Sequence, residues 1–118
     1  MNVPASSEPS VPTSAPVVEW APFRVRPGIS DEQVLAASAR LQEGFLRHQP
    51  GFLRRELLKG ADRQWIDYVV WRDRSAADAA VQQAMQSPTC ADYFGIMESA
   101  DPINAGDGLT HFRLMHAY

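Results

Sequence analysis

The sequence predicts an α+β domain in which two helices cover one face of a four-stranded antiparallel sheet. The first observation is a hairpin: the apolar runs Phe52 to Lys59 and Gln64 to Arg72 flank a polar turn at 60–63. The second is that a segment with helical spacing of apolar residues lies before this hairpin and another lies after it. With one strand at each end of the chain, the order is strand, helix, strand, strand, helix, strand. This is the ferredoxin-like β-α-β-β-α-β arrangement.

The elements before the hairpin follow from local signals. Val17 to Val25 is rich in β-branched and aromatic residues and ends at a Pro-Gly pair, so it is predicted to be the first strand. Ser30 and Gln33 have the spacing of a capping box, which predicts that the first helix begins at this point. The segment Gln49-Pro50-Gly51 ends that helix.

The elements after the hairpin are an alanine-rich helix, a short helix and a final strand. Ser75 is expected to cap a helix over Ala76 to Gln86, whose small side chains allow close approach to a sheet. A proline at 88 predicts a short third helix from Thr89 to about Met97, because proline suits the first helical position. The last strand is predicted from Leu109 to Ala117.

Composition excludes several classes of protein. The 118 residues are 45% hydrophobic and 21% charged, with a formal net charge of −3, which suits a single globular domain. Scattered Lys and Arg argue against a nucleic-acid partner, because phosphate binding needs a concentrated basic face. No apolar run approaches the ~18–20 residues that span a bilayer. The single cysteine, Cys90, cannot form an internal disulfide, so a reducing, cytoplasmic location is expected.

The first sixteen residues differ in composition from the rest of the chain. They contain four prolines and four serines, with almost no large side chain to bury. We therefore predict a flexible arm over 1–16 and a folded domain over 17–118. Docking of the arm on a neighbouring subunit stays open as an alternative.

Alternation along the strands separates two sets of side chains. The more apolar set, Ile66, Tyr68, Val70, Phe112 and Leu114, is expected to lie under the helices. The other face then carries a mixture of aromatic and ionisable residues: Glu19, Phe23, Arg55, Trp65, Asp67, Trp71, His111 and Arg113. A monomer would leave these aromatic residues in water, so the pattern predicts a homodimer that pairs two such faces around a cavity.

Three features resemble the antibiotic biosynthesis monooxygenase (ABM) family. They are the segment Gln49-Pro50-Gly51-Phe52, the strand Trp65-x-Asp67-x-x-x-Trp71, and the alanine-rich helix that follows. The resemblance implies a dimeric α+β barrel and the oxidation of aromatic polyketides by molecular oxygen without a bound cofactor. In such enzymes the substrate's own carbanion activates oxygen, and the protein supplies a base, a cavity and orientation. Of the family's site residues, only the tryptophan and the aspartate of this strand carry over.

The same face of the sheet supplies the candidate site residues. Asp67 and His111 are the candidate catalytic pair, since a carboxylate that orients an imidazole is a usual general base. The candidate ligand contacts are an apolar wall and charged groups for an anion or phenolate: Phe23, Trp65 and Trp71, with Arg55, Arg113 and Glu19. Two alternatives stay open. In the first, the polar residues are not catalytic but fix the register of a dimer. In the second, the two tryptophans do not contact a ligand but fill the dimer core.

Metal and haem chemistry are not expected. His111 and His116 are five positions apart on a strand, so they point to opposite faces. Family members that degrade haem use an asparagine, a tryptophan and a histidine on the second helix, but here 76–86 holds no histidine and the asparagines lie outside the strands. The sequence therefore favours a cofactor-independent monooxygenase acting on an aromatic or apolar substrate. The alternative is a non-catalytic ligand-binding or structural homodimer of the same fold.

Overall fold

The computed structural model describes residues 15–98 and 108–118. It confirms the α+β ferredoxin-like fold: a four-stranded antiparallel sheet has the order β2-β3-β1-β4, and three helices accompany it. A 3₁₀ turn at Leu46–His48 follows the first helix. The elements in chain order are β1 Val17–Arg24, α1 Asp31–Gly44, β2 Phe52–Lys59, β3 Gln64–Trp71, α2 Arg74–Ala84, α3 Pro88–Phe94 and β4 Thr110–Arg113.

The predicted cap of α1 is confirmed, whereas that of α2 is wrong. Ser30 Oγ accepts from the Gln33 amide at 3.1 Å, and Gln33 Oε1 accepts from the Ser30 amide at 2.7 Å. In α2 the cap is Asp73 rather than Ser75, because the Asp73 carboxylate accepts from the Ala76 amide at 2.8 Å. The helix therefore starts two residues before the predicted position.

The last strand is shorter than predicted. It covers Thr110–Arg113 and ends at Arg113, because that residue aligns with Val17, the first residue of β1. One further hydrogen bond, from the Leu114 amide to the Pro16 carbonyl at 2.9 Å, extends the pairing beyond the strand. Most of the predicted loop before β4 and the arm up to residue 14 lie outside the described residues.

Gly51 determines how the end of β3 meets α2. Its φ is +82°, a conformation that L side chains rarely adopt, and a Cβ at this position would lie 2.5 Å from the Ala76 Cβ. Its carbonyl accepts from the Arg72 amide at 2.7 Å. The glycine of the Gln-Pro-Gly segment therefore lets α2 approach the sheet closely.

The predicted assignment of the two sheet faces is wrong. Val69 and Trp71 are buried in a cluster with residues of all three helices, so the set that contains Asp67 lies under the helices. Residues predicted to lie there, such as Tyr68 and Phe112, are on the open face. Alternation sorted the side chains into the right sets, since the register aligns Glu19 with Val69 and His111. The prediction from polarity is wrong because the charged side chains find hydrogen-bond and ion-pair partners inside the subunit.

Candidate functional site

A cavity of about 290 Å³ lies between the sheet and the helices. This volume is at the lower end of the ~300–1,000 Å³ typical of small-molecule sites. Side chains from β1, β2 and β3 form one wall: Glu19, Ala21, Phe23, Arg55, Asp67, Val69 and Trp71. The helices and the residues after them supply a mostly apolar opposite wall that includes Leu41, Phe45, Ala80, Val81, Ala84, Cys90, Tyr93, Phe94 and Met97.

One end of the cavity is a buried network of Arg55, Asp67 and Tyr93. Arg55 donates to Asp67 Oδ1 from Nε at 2.9 Å, with Nη2 lying 2.8 Å from the same oxygen, and the Tyr93 hydroxyl donates to Asp67 Oδ2 at 2.7 Å. The Arg55 and Asp67 side chains are 6% and 9% exposed. Arg55 also donates to the Ser38 carbonyl at 3.2 Å, so the network joins β2 and β3 to α1 and α3.

Burial dominates the electrostatics of this network. It raises the pKa of Asp67 despite the opposing effects of the Arg55 guanidinium and the Tyr93 hydroxyl, and the nearby Glu19 adds to the rise. Burial also raises the pKa of Tyr93, and the adjacent Asp67 carboxylate raises it further. Tyr93 is therefore a hydrogen-bond donor throughout the ordinary pH range, and Asp67 is a stronger base than an exposed aspartate.

A second polar group lies along β1. The Trp71 indole donates to Glu19 Oε1 at 3.2 Å, and His111 Nε2 lies 3.4 Å from the same oxygen. His111 Nε2 is buried and has no hydrogen-bond partner among residues 15–98 and 108–118, although it lies within ion-pair distance of Glu19. The His111 and Glu19 side chains are 9% and 12% exposed.

The predicted pairing of Asp67 with His111 is wrong. Both β3 and β4 flank β1, as expected, but the register aligns His111 with Glu19 and Asp67 with Ala21. The two candidate catalytic residues are thus offset by two positions along β1. Each consequently has a different partner: Arg55 and Tyr93 for Asp67, and Glu19 for His111.

The structure brings five of the predicted site residues to the cavity: Glu19, Phe23, Arg55, Asp67 and Trp71. Trp65 lies instead in a separate core cluster with Val25 and Val34. Arg113 is exposed and is not part of the cavity wall. His111 contacts Glu19 without lining the cavity itself.

Two residues of α3 complete the cavity wall. Cys90 is buried, as expected, and burial raises the pKa of its thiol. Tyr93 was not predicted as a site residue, although its spacing of three from Cys90 places both on one helical face. That spacing indicates burial, but it does not show which strand residue the phenol reaches.

Within 15–98 and 108–118, no group of three or more His, Cys, Asp or Glu side chains is arranged to hold a metal ion. In the same ranges, no helix combines the length and apolar character needed to cross a membrane.

Comparison with known proteins agrees with this architecture. The fold resembles SnoaB, a cofactor-independent oxygenase from Streptomyces nogalater, at 22% identity over 87% of this chain and 96% of that one, with a TM-score of 0.66. It also resembles a protein from Bordetella bronchiseptica described as a putative antibiotic biosynthesis monooxygenase, at 14% identity over 86% and 99% of the two chains, with a TM-score of 0.70. At these identities the likeness shows the fold alone.

The sequence itself carries the family assignment. No curated protein matches the chain. A family model does match: the model described as antibiotic biosynthesis monooxygenase covers residues 16–94, which is well over half of the chain and includes the cavity walls from β1 to α3. The chain therefore belongs to the antibiotic biosynthesis monooxygenase family.

Proposed function

We propose that this protein binds a small aromatic or apolar molecule in the cavity and oxidises it as a cofactor-independent monooxygenase. The observation that carries the proposal is the cavity itself, which has a mostly apolar wall and a buried polar end at Arg55, Asp67 and Tyr93. Apolar sites with a few convergent polar groups and a perturbed pKa are typical of ligand-binding and active sites. The similarity to SnoaB, a cofactor-independent oxygenase, supports the reaction class.

The proposed reaction uses oxygen as the oxidant and the substrate as the source of electrons. A CH₂ group activated by an aromatic ring loses a proton, and the resulting carbanion reduces O₂. The CH₂ group and O₂ together become a carbonyl and water, so no further reductant is required. The protein must accept the proton, exclude bulk water and orient the substrate.

Asp67 is the proposed proton acceptor. Its raised pKa makes it a better base than an exposed aspartate. Arg55 and Tyr93 each take one acceptor position of the carboxylate, which leaves about two of its roughly four lone-pair sites for the substrate. Phe23 provides a partly exposed apolar surface beside this group, against which an aromatic ring can pack.

Oxygen uptake tests this proposal. We expect that at least one member of a panel of anthrones, which carry a CH₂ group between two aromatic rings, causes substrate-dependent uptake, and that Asp67→Asn lowers the rate at least about a hundredfold. Arg113→Gln is the matched control, because Arg113 is exposed outside the cavity. Ligand binding without any uptake would instead favour the alternative of a non-catalytic binding protein.

A homodimer is the proposed assembly, now through the open face of the sheet. This face and its margins present large apolar side chains to solvent: Leu53, Leu58, Phe112 and Leu114 are 53%, 40%, 54% and 44% exposed. Exposed apolar area of this kind favours a partner surface. A second copy of this chain would cover it whether or not the cavity is catalytic, so this surface also supports the structural alternative. A reducing, cytoplasmic location stays part of the proposal, since Cys90 is a free thiol.

A further inference from the structure

The two carboxylates that line the cavity differ in how many hydrogen bonds they can still accept. Asp67 uses both oxygens, with contacts of 2.9, 2.8 and 2.7 Å from Arg55 and Tyr93. Glu19 uses only Oε1, with the Trp71 indole at 3.2 Å and His111 Nε2 at 3.4 Å without a hydrogen bond. An ionised carboxylate has about four acceptor positions, so most of those on Glu19 are unused among the described residues.

Within the described part of the chain, Glu19 has no arginine or lysine partner, whereas Asp67 is paired with Arg55. Among the described residues, the arginine that lines the cavity is Arg55, and its guanidinium is paired with Asp67. Around Glu19 the polar groups are the Trp71 indole and the His111 imidazole, which is itself buried with Nε2 unsatisfied. Since Glu19 lines the cavity and its Oε2 is not among the buried unsatisfied atoms, this oxygen is open to a donor that enters the cavity.

The charges around the cavity restrict what that donor is. The charged residues of its wall are three acids and one base, namely Glu19, Asp67 and Glu98 with Arg55. A carboxylate or phosphate on the ligand would therefore meet net negative charge among largely buried side chains. A hydroxyl group, in contrast, supplies a donor without adding charge.

We propose that Glu19 Oε2 accepts a hydrogen bond from a hydroxyl group of the ligand, and that this residue selects a neutral hydroxylated aromatic compound over an anionic one. The Trp71 indole donates to the other oxygen and holds the carboxylate in position. The inference rests on the proposed function, because it assumes that the cavity binds an aromatic molecule. It assigns hydroxyl recognition to Glu19, whereas Asp67 takes the proton.

Calorimetric titration with three two-ring probes tests the inference. The probes are 1-naphthol, which donates a hydrogen bond, 1-methoxynaphthalene, which cannot donate one, and 1-naphthoate, which is an anion. For the wild type we expect 1-naphthol to bind at least about tenfold more tightly than 1-methoxynaphthalene, as for a hydrogen bond to a charged group. We expect 1-naphthoate to bind more weakly than 1-naphthol.

The decisive variant is Glu19→Gln, which keeps the shape of the side chain and can still accept from the Trp71 indole. Its preference for 1-naphthol should fall to about twofold or less, its affinity for 1-methoxynaphthalene should stay unchanged, and 1-naphthoate should bind more tightly than it does to the wild type. If Glu19→Gln does not fold, Glu19→Asp serves, because the shorter side chain withdraws the carboxylate from the ligand. Arg113→Gln should retain the wild-type preference.

Two outcomes would overturn the inference while leaving the proposed function intact. One is equal wild-type affinity for 1-naphthol and 1-methoxynaphthalene. The other is a full preference in Glu19→Gln together with its loss in Asp67→Asn, which would assign hydroxyl recognition to Asp67. Failure of all three probes to bind the wild type would contradict the proposed function and, with it, this inference.

Discussion

The helices cover the sheet face that carries more ionisable side chains and leave the other face open. Polarity alone predicts the opposite arrangement. The covered face contains Arg55, Asp67 and Glu19, whose charged groups are largely removed from solvent. The open face carries Trp20 edge-on to Tyr68 at 6.4 Å, and Phe112 is 54% exposed. Partners within the subunit, rather than apolar content, therefore decide which face the helices cover. The open face is left with apolar area that a second subunit would bury.

Lysine substitutions on the two faces should differ most strongly in their effects: one should prevent folding and the other should only prevent dimerisation. Val69 is 2% exposed under the helices, so Val69→Lys places an unpaired ammonium in the core and should prevent stable folding. The same change at Phe112, which is on the open face, should preserve the fold but give a monomer of 13.1 kDa. Circular dichroism measures the first effect and light scattering the second.

Alternation groups Val69 with Asp67 and Trp71, the set that was expected from the sequence to face a dimer partner, so this pair of variants tests that expectation. A folded, monomeric Val69→Lys protein would restore that first assignment of faces. A dimeric Phe112→Lys protein would instead argue that the subunits pair through another surface.

Alanine substitutions of two adjacent arginines in β2 should show the next largest difference, in the free energy of unfolding. Arg55 is buried against Asp67, so Arg55→Ala leaves a carboxylate without its cation and should lower the free energy of unfolding by about 3–5 kcal/mol. Arg54, on the open face, pairs with Glu56 at 3.2 Å with both side chains more than half exposed, so Arg54→Ala should cost no more than ~1 kcal/mol. Urea unfolding of both variants measures the difference. Equal losses would show that the buried pair contributes no more than an exposed one.

The hairpin and the start of α1 could be predicted because their signals are local. Phe52–Lys59 was predicted with its observed bounds, and the Ser30 capping box needs only residues three apart. The side of the sheet on which the helices pack is not a local property. It depends on whether Asp67 finds partners, and these come from β2 and from α3, 12 and 26 positions away. Alternation could group Asp67 with Glu19 and Arg55, but it could not indicate that Tyr93 completes the network.

The pH dependence of stability should show the smallest effect and the most specific one. Because burial raises the pKa of Asp67, the folded protein keeps a proton that the unfolded chain releases near its ordinary pKa of about 3.9. In the window between these two pKa values the folded state binds more protons, so the Asp67 contribution to stability falls as pH rises. The free energy of unfolding of the wild type, minus that of Asp67→Asn, should therefore decrease from about pH 3.5 upward and then level off.

Asp73 provides the opposite control for that measurement. The backbone amide of Ala76 lowers the pKa of Asp73, so its contribution is present above the ordinary pKa and is lost as pH falls through the lowered one. The difference between the wild type and Asp73→Asn should thus increase with pH, whereas the Asp67 difference decreases. Unfolding in urea at a series of pH values measures both slopes. An Asp67 difference that increased with pH would mean that the Arg55 guanidinium outweighs burial, and Asp67 would then be a weaker base than the proposed reaction requires.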